Sequence, residues 1–525
     1  MLEESKGWLG FVMGWRMYPR AHENRIDPYE ETFKPIRRKA LKAIFTNFIA
    51  LQILFLVLLA YIFGALCEQG GHVHNMKVLY VDYDGGAIGT SVRNAYSMLR
   101  GPGYPTLIER SASDYPTPKD LRYEVCQIRY WGAVFTSPGA SARLDDAITT
   151  NSLHNKSEVL TYIWNEARYS AVIDSTISSG IQSLSSTARI DYASKNTFTN
   201  LTASSVPIIA DPWHLNSINI MTTTQGSRLI YNTLVIILIL VQEFFYIGTI
   251  NSLYDAFRIY ARLNPHRIIY FRNLISLSYT FVGSLCVAGM IWAFRDGWDV
   301  NAYQFLLTWM ILWLFAHVNF LTLDVFTLWL PPPYIPMALI SWVILNVTSI
   351  LLPFELSPGF YKYAYVFPAH EVYQILLDIW SRGCNPQLHF ALPVLFALEL
   401  SGLFISALGI HRRCHYATIR EENEGKAFQD RVDDALAFEL GKRGQDRLAR
   451  RESVVQSTHN TEKTEVVEKT GVEEEQVDVE KDGAELSNII SRTDDRARRE
   501  QPLSGISFGP AFGFGFGHGE EEGRE

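Results

Sequence analysis
The chain sets long apolar runs against long polar stretches on a scale that soluble domains do not use. Six runs, Ile44–Leu66, Leu229–Ile250, Leu274–Phe294, Tyr303–Leu323, Ile335–Phe354 and His389–Ile410, are almost continuously apolar. Each comes close to the ~20 residues that a helix needs to cross the hydrocarbon core of a bilayer. Hydrophobicity that is continuous rather than alternating predicts helices, since only helices and closed barrels satisfy their backbone in lipid. A single long polar segment, Cys67–Arg228, separates the first run from the second. The expected fold is an α-helical polytopic membrane protein of six transmembrane helices, with an extracytoplasmic α/β domain inserted between helices 1 and 2.

Within the polar segment the pattern changes period. Met76–Tyr83 reads as a strand, Asp84-Gly85-Gly86 as a turn, and Ala87–Leu99 as a helix with Ile88, Val92, Tyr96 and Leu99 on one face. Thr106–Glu109 and Tyr130–Thr136 read as strands, with helices over Lys119–Gln127 and Ala142–Thr150. Strands alternating with helices predict a small α/β layer. Glu158–Ser186 is expected as a longer helix and Val206–Ile209 as a strand returning toward the second span. Before the first span, Gly7–Met17 mixes Trp, Phe and Leu with one Arg and could lie in the membrane interface. Between the last two spans, Pro353–Cys384 is aromatic, proline-punctuated and moderately apolar, which predicts a re-entrant or interfacial hairpin.

Composition matters here only by region. A mean hydropathy of +0.02 would suit a soluble enzyme. The net charge of −8 belongs entirely to residues 411–525, leaving the rest neutral. Arg420–Lys442 could form a charged helix, but the low apolar content of Glu462–Glu485 and the Gly-Phe end predict a largely disordered tail.

Charge also sets orientation. Lys34, Arg37, Arg38, Lys39 and Lys42 lead into the first span, Arg258, Arg262, Arg267 and Arg272 lie in the stretch Asn251–Asn273, and Arg412–Arg413 close the last span. The positive-inside rule puts all three, and both termini, in the cytosol. The loop Asp324–Tyr334 should share that side although it has neither Lys nor Arg. The first run starts behind a long polar N-terminus, so no cleavable signal peptide is expected. Cys67–Arg228 then lies outside, where the sequons at Asn155 and Asn200 are glycosylation candidates. A third, at Asn346, falls inside the fifth span and should be unused.

Candidate chemistry is sparse. Five cysteines form no CxxC pair, so no metal site is expected. Cys67 and Cys126 share the oxidising side and could pair, as could either with Cys384. Cys414, in Arg-Arg-Cys-His-Tyr, is a palmitoylation candidate. No GxxxxGK[ST] occurs, so the chain carries no P-loop. Asp82-Tyr-Asp84-Gly after an apolar strand resembles the catalytic start of a haloacid-dehalogenase-type phosphatase, with Thr136 and Asp145-Asp146 as further members. The Lys that such an enzyme requires between them is missing, and a turn explains the Asp and Gly equally well; no enzyme activity is expected.

Ionisable groups inside the spans are more informative, because burying them in lipid is costly. Glu243, His317, Asn319, Asp324 and Glu399 would line a polar seam if they face one another, or each would hold one interhelical hydrogen bond.

The strings VLYVDYDGGAIGTSV (Val78–Val92), YWGAVFTSPGA (Tyr130–Ala140) and SPGFYKYAYVFPAHEVYQILLDIW (Ser357–Trp380), with the basic lead into the first span, resemble the fungal nitrosoguanidine-resistance membrane proteins. The plan of one span, a large external domain and five further spans resembles the membrane domain of type-2 ABC exporters. That resemblance implies a fungal plasma-membrane protein that protects against toxic small molecules. In exporters of this type the cytosolic loop after span two docks on an ATPase. Here that position holds Tyr254, Phe257 and Tyr260 beside Arg258 and Arg262. The expected function is permease-like export of amphipathic compounds or lipids, without a cofactor or nucleic acid. Its partners would be membrane lipids and amphipathic small molecules, with a separate ATPase or a second copy of the chain. A non-transporting organiser of lipid distribution or trafficking is the alternative.

Overall fold
The computed structural model describes residues 31, 34–150, 152, 154–195, 205–223, 234–295, 298–331 and 334–458. Gly7–Met17, Asn200 and the tail beyond Thr458 lie outside the described residues. The chain divides into two units, residues 1–64 and 65–525. The first is built on α1 (Lys34–Ala65), whose 32 residues would measure about 48 Å at the helical rise.

In the second unit a five-stranded mixed sheet has the order β2-β1-β3-β4-β5. Its strands are β1 (Lys77–Asp82), β2 (Thr106–Arg110), β3 (Gly132–Thr136), β4 (Leu160–Trp164) and β5 (Leu215–Asn219). β1 runs parallel to β2 and β3, β4 parallel to β5, and β3 antiparallel to β4. The run VLYV of β1 is buried on both faces, as a central strand covered by helices requires. Val78, Tyr80, Val134 and Tyr162 turn to one side, toward Ile88 and Val92 of α2 (Ala87–Leu99), Leu144 of α4 (Ala140–Thr150) and Leu184 of α6 (Ser179–Lys195). Leu79, Val81, Ala133, Phe135 and Ile163 turn to the other, where α3 (Pro118–Cys126) supplies Leu121 and Val125. α3 starts with a capping box between Thr117 and Asp120 and has Pro at its first turn.

Two expectations in this region need correction. Glu158–Ser186 is not one helix: Leu160–Trp164 is strand β4, and helix begins only with α5 (Ser170–Ile173), a π turn at Asp174–Ser178, and α6. LTYIW is buried throughout, and a short fully buried strand has no periodicity to separate it from helix. Val206–Ala210 is a helical turn, α7, rather than a strand, and the strand beside β4 is β5. The Pro at the start of α7 fits a first helical turn.

Four further helices are long and apolar enough to cross a membrane: α8 (Val235–Ala256), α10 (Pro265–Ala293), α11 (Ala302–Trp329) and the apolar part of α14 (Leu388–Thr458). With α1 they make five among the described residues. α12 (Ile335–Leu351) is apolar but has 17 residues, about 26 Å of helix against a core of ~30 Å. The helices do not end where the hydropathy does. α8 continues to Ala256 and α10 starts at Pro265, so the expected loop Asn251–Asn273 shrinks to residues 257–264 around the short α9 (Ile259–Arg262). α14 runs unbroken through Arg412–Arg413 to Thr458, taking residues 411–458 of the expected tail into helix.

The hairpin before the last span joins the sheet to the long helices. A 3-10 stretch, Gly359–Val366, leads into α13 (Pro368–Trp380), which is buried along nearly its whole length. Gln304 of α11 donates to the carbonyls of Ile379 (2.8 Å) and Trp380 (3.2 Å), and the Trp380 indole donates to Thr308 (3.1 Å). Toward the sheet, the Tyr169 amide donates to the Tyr373 hydroxyl (3.1 Å) and Asn75 to the Glu355 carbonyl (3.0 Å). Cys126, closing α3, is joined by a disulfide to Cys384, with Cα atoms 4.3 Å apart. The Cys67–Cys126 pairing is therefore not formed, and Cys67 is free and exposed. The turn after α13, with Arg382 and Gly383 both at positive φ, carries Cys384 to the end of α3.

Candidate functional site
The polar side chains inside the long helices recur at helical spacing. On α10, Arg272, Ser276, Thr280 and Ser284 follow one another every fourth residue, all buried. On α11, His317 and Asp324 are seven apart and buried, and on α14 Glu399 and Ser406 share that interval. Seven residues advance about 10 Å along a helix while keeping nearly the same face. The three helices therefore bring their polar groups together in two tiers.

The first tier is an ion pair between Arg272 and Asp324, whose side chains are 1% and 0% exposed. Arg272 also donates to Asn251 (2.7 Å) and the Tyr260 hydroxyl (3.3 Å), and its guanidinium lies 5.2 Å from the centre of the Tyr254 ring. Ser406 donates to Asp324 at 2.6 Å. In the second tier His317 bonds Glu399 through Nδ1 and Ser276 through Nε2 (3.2 Å). Phe320 separates the two, 6.0 Å from the His317 ring and 5.9 Å from the Arg272 guanidinium.

Of the five residues expected in a polar seam, His317 and Glu399 meet directly. Asp324 instead belongs to Arg272. Asn319 bonds the Phe315 carbonyl (2.7 Å) and the Trp342 indole (2.9 Å), a packing role. Glu243 is fully buried, and among the described residues neither of its oxygens has a hydrogen-bond partner. Arg272 is the residue that hydropathy assigned elsewhere, to a cytosolic loop. Its signal was the serine and threonine spacing that follows it, which marks a polar helical face rather than a loop.

The loop expected to meet an ATPase turns inward only at its tyrosines, and Phe257, Arg258, Arg262 and Leu263 stay exposed. Tyr254 and Tyr260 are buried against each other, 5.4 Å between ring centres. Arg258 holds a left-handed φ of 50° and lies 3.9 Å from both Glu421 and Glu424 of α14. Arg262 and Phe257 remain exposed.

In the sheet unit, the Asp82-Tyr-Asp84-Gly turn sits where the chain crosses from β1 to α2. Asp82 Oδ1 accepts from the amides of Asp84 and Gly85 (both 3.1 Å) and from the Thr136 hydroxyl, while Oδ2 accepts from Arg93 (2.8 Å). Asp84 accepts from the Ser141 amide (2.9 Å) and hydroxyl, and that hydroxyl accepts from the Ile88 amide (3.0 Å). Both carboxylates are thus spent on fixing the turn, which leaves Asp82 poorly placed for nucleophilic attack. Asp145 accepts from the Tyr192 hydroxyl (3.1 Å). A Cβ on Gly89 would fall 2.0 Å from Asp82 Oδ2. Gly89→Ala should therefore displace that carboxylate and cost about 1–3 kcal/mol of overpacking, read as a lower thermal transition; an unshifted transition would show the turn does not depend on it.

Asn155 is exposed and caps a short turn, its Oδ1 accepting from the Ser157 amide (3.2 Å). Asn346 is buried and bonds the Trp342 carbonyl (2.9 Å) and the Ala369 amide (3.2 Å). Cys414 is buried. Among the described residues no group of three or more His, Cys, Asp or Glu could hold a metal ion.

Long apolar helices holding a buried Arg–Asp pair and a half-buried His–Glu pair between them mark a membrane protein. The chain belongs to the family described as protein of unknown function (DUF3533), which it matches over residues 47–403.

Proposed function
We propose that this chain is a permease-like protein of six membrane-spanning helices, α12 included, with the sheet unit outside and both termini in the cytosol. It would contribute to resistance to toxic small molecules at the plasma membrane by moving amphipathic compounds or lipids, in keeping with its resemblance to nitrosoguanidine-resistance proteins. The observation that carries this reading is the His317–Glu399 pair held beside Arg272–Asp324. Ionisable groups in a bilayer are expensive and usually serve a path for ions, protons or polar head groups. Among the described residues Glu399 keeps one oxygen without a hydrogen bond, an acceptor this tier leaves open. The α14 carboxylates Glu421 and Glu424 lie beside the exposed Arg258, and proton coupling through the His317–Glu399 pair is the energy source this reading proposes.

The test uses the full chain, purified and reconstituted into vesicles with a labelled amphipathic toxin and no ATPase. Movement should require a proton gradient, and Glu399→Gln should reduce it at least tenfold, as loss of an essential acid or base commonly does. No movement with or without a gradient would overturn the carrier reading. It would favour a non-transporting membrane organiser, a reading supported by how fully Asp324, Arg272 and Asn319 are satisfied within the protein.

A further inference from the structure
Glu243 stands apart from both tiers. It lies in the middle of α8, 0% exposed, with neither oxygen hydrogen-bonded among the described residues. The buried Arg272 cannot serve it, being engaged by Asp324, Asn251 and Tyr260. One turn further on the same face is Tyr246, whose hydroxyl also lacks a partner. Its ring stacks on Tyr279 of α10 at 3.7 Å and 8°, and lies 5.5 Å from Phe320. Both tyrosines are within electrostatic reach of Glu243. Tyr279 is 36% exposed, so the stack reaches the outer surface of the long helices, where lipid would lie.

A buried carboxylate with no partner is costly unless it takes up a proton or a cation joins it. A hard metal ion would need several oxygen ligands, and among the described residues no group of three or more His, Cys, Asp or Glu gathers here. Aromatic faces beside a carboxylate suit a diffuse organic cation instead, attracted by ring and charge at once. We propose that Glu243, Tyr246 and Tyr279 form a binding site for the cationic head of an amphipathic organic molecule, entered from the lipid between α8 and α10. The assignment rests on the carrier reading for its purpose, though not for its chemistry. Gly283, one turn beyond Tyr279, keeps this entrance narrow: a Cβ there would lie 2.1 Å from the Gln242 side-chain nitrogen. The aromatic pair is therefore where a ligand head would enter.

The probe is radiolabelled tetraphenylphosphonium, bound at equilibrium to the full chain in nanodiscs of zwitterionic lipid. Saturable binding is expected, weakened roughly tenfold or more in Glu243→Gln by loss of a desolvated charge partner and unchanged in Asp299→Asn. Tyr279→Leu, at an exposed position that folding should tolerate, is expected to weaken it about fivefold; it decides the matter should Glu243→Gln not fold. The isosteric anion tetraphenylborate should not compete. Equal binding by wild type and these variants, or equal competition by the borate, overturns the site. Glu243-dependent binding without vesicle transport would overturn the carrier reading and leave the site standing. Transport without such binding would do the reverse.

Discussion

Removing either member of the Arg272–Asp324 pair is expected to destabilise the helical part by about 3–5 kcal/mol, because it strands a charge that is buried on every side. Asp324→Asn keeps the shape of the acceptor but leaves the guanidinium uncompensated. Arg272→Met leaves the carboxylate with only the Ser406 hydroxyl in place of its ion pair. The double change Arg272→Met with Asp324→Leu should recover most of that loss, since paired apolar groups avoid the desolvation that both charges suffer. Thermal or denaturant unfolding of the detergent-solubilised chain measures all three. Single variants as stable as wild type would mean that water or lipid headgroups reach the pair. A stable double variant that no longer transports would show that the pair is kept for its chemistry rather than for cohesion.

The same pair marks the limit of what hydropathy could reveal. The helices were legible because twenty apolar residues in a row have few alternatives, and β1, α2 and β3 because VLYVD, the Asp-Gly turn and GAVFT each carry their own signal. His317 and Glu399 were legible as single ionisable residues in apolar surroundings. What a run of hydrophobicity cannot show is where a helix ends once its inward face becomes polar. α8 and α10 each extend past the apolar window, so Asn251, Tyr254 and Arg272 read as a basic cytosolic loop while belonging to buried helix. The later part of the sheet domain failed for a different reason. LTYIW is short and wholly buried, and VPIIA is rich in β-branched residues yet forms a helical turn because tertiary context overrides propensity. The partner of Cys126 had no local signal at all, lying 258 residues away in sequence.

That disulfide carries the other large expected effect. Cys126→Ser or Cys384→Ser should lower the stability of the sheet unit and hairpin by up to about 5 kcal/mol, the chain-entropy value for so long a closed loop. Restricted motion of the unfolded chain in a membrane would reduce it. In the wild-type protein, a cut between the two cysteines should leave fragments that separate only after reduction, and Cys67 should be alkylated without it. Wild-type fragments that part without reductant would refute the pairing. The consequence reaches beyond stability, because the bond does not act alone. Tyr169 to Tyr373, Asn75 to the Glu355 carbonyl, and Arg168 at 4.0 Å from Glu355 tie the same two pieces. On the far side of the hairpin, Gln304 and Thr308 hold the end of α13 to α11, the helix that carries His317 and Asp324. A displacement of the sheet unit would therefore be passed through α13 to the helix bearing both polar tiers. Cutting the disulfide should loosen the first joint of that linkage, so vesicle transport in the Cys384→Ser variant should fall even at temperatures where the protein remains folded.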